Sequence, residues 1–133
     1  TIQLMNPVLK NILGVIVGSI VNGGLIMLGP SIFPLPEGVN PMDAQSLADN
    51  IERFSMGNFA MVFLAHALGT LVGALIAIKI AGTHKAKMAY IVGGLFLIGG
   101  IMNAFTIPAP TWFISVDLIL AYIPMAWIAT KTA

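Results

Sequence analysis

Apolar runs, broken at prolines and at clusters of charge, dominate the chain. Four of them reach the roughly 20 residues that a helix needs to cross the hydrocarbon of a bilayer. They cover about 8–28, 59–80, 88–107 and 111–130. The first is expected to stop at Gly29-Pro30 and the third at Pro108. Residues 29–58 form the one long loop. Its first part, PSIFPLPEGVNP, is proline-rich and reads as extended or turned. Asp43 can then cap a short helix in MDAQSLADNIERF, where Leu47, Ile51 and Phe54 recur at helical spacing. Such a helix suits the membrane surface, with its stripe toward lipid or the bundle. Trp112 and Trp127 flank the last span as interfacial anchors. The pattern predicts an all-α membrane protein, a single transmembrane domain over 1–133. Its expected form is an antiparallel bundle of four helices with an amphipathic helix in the outer loop.

Composition agrees. Only 8% of residues are charged and 58% are hydrophobic, whereas a soluble domain carries about a quarter charged residues. A net charge of +1 leaves no basic patch for nucleic acid. The absence of cysteine excludes disulfides, thiol chemistry and thiolate metal sites. Lys10, Lys79, Lys85, Lys87 and Lys131 all fall at one set of span ends. Lysine bias marks the cytoplasmic side, so both termini and the 83–87 loop are expected inside. The long loop, with Glu37, Asp43, Asp49, Glu52 and Arg53, is then outside, as is the Pro108-Ala109-Pro110 turn. The run after Lys10 is too long for a signal peptide and lacks a small-x-small cleavage site, so it reads as a retained span. Met5 opens MNPVLKNILG, which reads as a natural bacterial start with residues 1–4 as an added remnant.

Each span carries one conspicuous polar residue: Asn22, His66, Asn103 and Asp117. Asn22, His66 and Asp117 lie about six or seven residues from the outer ends of their spans, roughly 10 Å deep; Asn103 lies at about 6 Å. Small residues share their faces: Gly14 and Gly18 with Asn22, Gly69 and Gly73 with His66, Gly99 with Asn103, Ala121 with Asp117. Small residues mark helix contact faces in membranes, so the polar side chains are expected to point where helices meet. Asp117 is the only acid within a span. A charged Asp at the centre of a membrane helix costs about 2.5–3.5 kcal/mol. His66 is its natural partner, with Asn22 and Asn103 as amide donors, and either neutral Asp with neutral His or Asp⁻ with His⁺ satisfies the pair.

Three readings of these residues stand side by side: hydrogen-bond glue between helices, a proton or ion relay, and a small-ligand site. One imidazole and one carboxylate leave a metal site short of ligands unless an oligomer supplies more, and His84 sits among lysines in a solvated loop. A transmembrane b-type haem needs paired histidines, which the spans lack. Small multidrug exporters share the length and span number, but their essential glutamate lies in the first span, where this chain has no acid. No metalloprotease, phosphate-binding or nucleophile motif occurs, so no cofactor and no enzymatic role is expected.

The blocks LAHALGTLVGALIA (64–77) and IPAPTWFISVDLILAYIPMAWIATK (107–131) resemble a group of small bacterial four-span inner-membrane proteins with no established activity. The resemblance implies an inner-membrane setting and nothing about mechanism. The leading expectation is a non-enzymatic membrane protein that packs through glycine-rich faces, as a homo-oligomer or an accessory subunit of a larger complex. The alternative is a small transporter or proton/ion pathway using Asp117 and His66.

Overall fold

A computed structural model describes residues 1–133 and is helical throughout, with no strand. The elements are α1 (Pro7–Ile32), α2 (Ala44–Asn50) with a 3-10 turn after it (Ile51–Arg53), α3 (Met56–Ile80), α4 (Lys85–Thr106), α5 (Thr111–Leu120) and α6 (Ile123–Thr132). Four helical stretches are long and apolar enough to cross a membrane, with α5 and α6 together forming the fourth.

Local chemistry sets the helix starts. Asn6 accepts from the Val8 amide with Pro7 in the first turn, and Asp43 accepts from the Gln45 amide. Ser55 and Asn58 form a reciprocal capping box at α3. Asn58 also donates to the Pro34 carbonyl at 3.0 Å, tying the proline-rich loop to α3.

The structure corrects two boundaries. Helix α1 does not stop at Gly29-Pro30; it runs on to Ile32 with Pro30 inside. Gly29 is buried there against Met61 and Ala65, and packing outweighs the backbone bond that proline removes. The last span, by contrast, is not one continuous helix. Pro124 has no amide to give Leu120, its i−4 residue, and its ring crowds that carbonyl. Helix α5 ends at Leu120, Ala121 and Tyr122 form a bend, and α6 restarts at Ile123.

Helices α1 and α3 touch along a line of small residues. A Cβ on Gly14 would meet the Ala77 carbonyl at 2.8 Å, and one on Gly18 would run into the carbonyl of Gly73. One on Gly69 would strike Asn22, so the pairs ascend α1 while descending α3. The opposite face of α1 carries exposed Ile12, Ile16 and Ile20. A soluble protein avoids such a face; lipid accepts it. Ala74, Ile78, Ala89, Ala126 and Ala129 pack α3, α4 and α6 together near the lysines, called here the lysine end. At the other end, the loop end, Ile51 packs with Phe59 and Phe113. The Ile51–Phe54 part of the loop stripe therefore turns toward the helices.

The small-residue contact yields a direct test. Gly18→Ala should cost about 1–3 kcal/mol of stability by overpacking. Gly94→Ala, which would meet nothing within 4 Å, should cost none. Denaturation in matched detergent compares the two, and equal stability would remove the close α1–α3 approach.

Candidate functional site

The bend in the last span assembles the site. Asp117 lies on the final turns of α5 and is 5% exposed; Tyr122, at the bend, is 2% exposed. His66, on α3, is partly buried and faces both. Its Nδ1 lies 2.8 Å from Asp117 Oδ1. The Tyr122 hydroxyl donates to Asp117 Oδ2 at 3.0 Å and lies 3.0 Å from His66 Nδ1. The rings of His66 and Tyr122 sit 5.8 Å apart, centroid to centroid, tilted by 31°.

Proton counting assigns the network. Tyr122 has one hydroxyl proton and gives it to Oδ2. Its oxygen accepts from His66 only when Nδ1 is protonated and shared between Asp117 Oδ1 and the phenol. A protonated Asp117 donating to Nδ1 would leave the phenol–imidazole contact without a proton, so the first arrangement satisfies both contacts. Nε2 is left without a protein partner. It is not sealed either, because the buried side-chain atoms without partners are Ser19 Oγ and Asn22 Oδ1. Nε2, on the side of the ring away from the carboxylate and without a protein partner, is where this unit can take or give a proton.

Two cavities meet at that imidazole. One, of about 130 Å³, lies between α2, α3, α4 and α5, and both His66 and Asp117 line it. The other, of about 400 Å³, lies between α1, α3 and the long loop, and His66 lines it too. Asn103 borders both. The walls are mainly apolar, and no other ionisable side chain lines either space.

The four polar residues singled out in the sequence divide unequally. His66 and Asp117 meet. Asn22 is fully buried but does not reach them: its amide contacts Thr70 Oγ1 at 3.4 Å, and the Thr70 hydroxyl donates to the His66 carbonyl at 2.8 Å. Its span extends further than expected, and its side chain is used in the close α1–α3 contact. Asn103 is exposed and makes no side-chain hydrogen bond to the pair; a Cβ on Gly99 would meet nothing within 4 Å, so that stripe is not a contact face. No cluster of metal-ligating side chains is present.

Tyr122 is the residue of the candidate site that sequence reasoning missed. Tyrosine in a membrane helix belongs at the interface, and one in the middle of a span needs a partner for its hydroxyl. Tyr122 stands mid-span, two residues before a proline, and that was the available signal.

The chain matches no protein-family model, and no curated protein or solved structure shows significant similarity to it.

Removing the hydroxyl isolates its contribution. Tyr122→Phe leaves Asp117 Oδ2 without its donor in a buried setting and should cost about 1–3 kcal/mol. Tyr90→Phe, at an exposed tyrosine, should be neutral. Melting in detergent compares them; a neutral Tyr122→Phe would mean that the phenol does not hold the carboxylate.

Proposed function

We propose that this is a small multi-pass protein of the bacterial inner membrane, an antiparallel bundle with both termini cytoplasmic, that provides a proton pathway through its intramembrane Asp117–His66 pair. The long loop then lies outside and its short amphipathic helix covers the cavities. The supporting observation is the free His66 Nε2 at the wall shared by both cavities, with Asp117 and Tyr122 fixed behind it. A group used only as interhelical glue gains nothing from an open, unpartnered nitrogen. A proton relay requires one.

Packing as an accessory subunit was the leading expectation from glycine content, and the contacts move weight away from it. Gly14, Gly18, Gly69, Gly73 and Gly93 are used within the chain, against neighbouring helices. Gly23, Gly24, Gly94 and Gly99 have open space beside them, and they are what remains to support contact with a second copy or a larger partner.

Purified protein in liposomes tests the proposal. With an imposed potential and a pH-sensitive dye in the lumen, the parent protein should carry protons in a pH-dependent way. Asp117→Asn should abolish that flux while helical content and melting survive. No flux in the parent, or unchanged flux in the variant, would reject the relay.

A further inference from the structure

We infer that the ligand of this site is an amphipathic monocation, an organic ammonium with an aromatic or aliphatic body, which exchanges for the proton held by His66 and Asp117. This rests on the proton-linked reading above and adds the class of ligand. Three features point the same way. First, with one proton removed, the unit of Asp117 carboxylate and neutral imidazole carries one negative charge. No cationic side chain lines either cavity to balance it. The lysines stand at the far end of the helices, and Arg53 is engaged by the Glu37 carbonyl and Asn50 Oδ1. Second, the loop over the cavities carries Glu37, Asp43, Asp49 and Glu52 against Arg53 alone, and none of these carboxylates is in an ion pair. Such a rim concentrates cations and repels anions. Third, aromatic rings stand among the aliphatic side chains of the walls. Phe54, Phe59 and Phe113 line the smaller cavity, Phe33 and Phe54 the larger. Aromatic faces attract desolvated cations. The volumes of about 130 and 400 Å³ suit one small molecule with a single charged group.

The exchange balances. The protonated unit holds one proton more than the charged one. When a cation enters, that proton leaves from Nε2, and the total charge of the site stays the same. The groups facing His66 that titrate or carry charge are Asp117 and Tyr122 from the α5–α6 bend; α1, α2 and α4 present none.

Phenyltrimethylammonium, which has no proton of its own, and benzenesulfonate, of similar size and opposite charge, are the probes. Parent protein is placed in nanodiscs of zwitterionic lipid. Binding is followed by the ¹⁵N shifts of the His66 ring, and proton release by an indicator in weak buffer. The cation should saturate with release of one proton per molecule. Its affinity should rise about tenfold per pH unit while the unit is protonated, a result that needs no variant. Asp117→Asn should weaken it at least about tenfold and abolish release. Benzenesulfonate should not saturate. Saturation by benzenesulfonate with proton uptake, or cation binding without release, or no saturable cation binding, would each overturn the ligand class. If those failures occur while the parent still carries protons in liposomes and Asp117→Asn does not, the relay stands and only the cation falls. Loss of parental proton flux is the failure of the reading beneath it.

Discussion

A carboxyl group set within an apolar helix is the constraint around which the His66–Asp117–Tyr122 cluster is organised. Left alone, Asp117 would oppose insertion by about 2.5–3.5 kcal/mol. Burial in a dry interior would raise that cost unless its oxygens were occupied. Both are: Oδ1 by His66 from α3, and Oδ2 by Tyr122 from its own broken helix. The bend before Pro124 separates α5 from α6 at the residue whose hydroxyl is needed. The proline thus has a positive role here, since Tyr122 at this bend meets a carboxylate five residues earlier and an imidazole on α3.

Packing differs between the two ends of the molecule. Glycine and alanine bring α1 onto α3, and α3 onto α4 and α6, at nearly backbone distance over the lysine end. At the loop end the residues are large: Phe59, Phe113 and Ile51. The two cavities lie toward that end, the smaller lined by Phe54, Phe59 and Phe113 and the larger by Phe33 and Phe54, and His66 lines both.

Much of this was legible in the sequence. Four apolar runs at membrane length, the cap at Asp43 and the shared depth of His66 and Asp117 all follow from spacing and composition. The limits were equally physical. Apolar periodicity cannot say whether proline ends a helix or is carried within one: Pro30 is carried and Pro124 is not. Wheel geometry placed Asn22 and His66 on contact faces but could not say which neighbour each would meet. Asn22 belongs to the α1 seam, while His66 reaches past it to α5. Asn103 shows the opposite failure, because a helical stripe with Gly99 looked like a contact face and is open. Tyr122 was overlooked because only charged and amide side chains were counted as polar within the spans, and a phenol in need of an acceptor was not.

The account stands on one contact, and a solid-state NMR measurement in lipid bilayers addresses it without any substitution. Dipolar recoupling between ¹⁵Nδ1 of His66 and ¹³Cγ of Asp117 should be strong, as a 2.8 Å Nδ1–Oδ1 contact requires. Nδ1 should carry the proton of that contact, with Nε2 free of any protein partner. No detectable coupling, or an Nδ1 without a proton, would contradict the central claim.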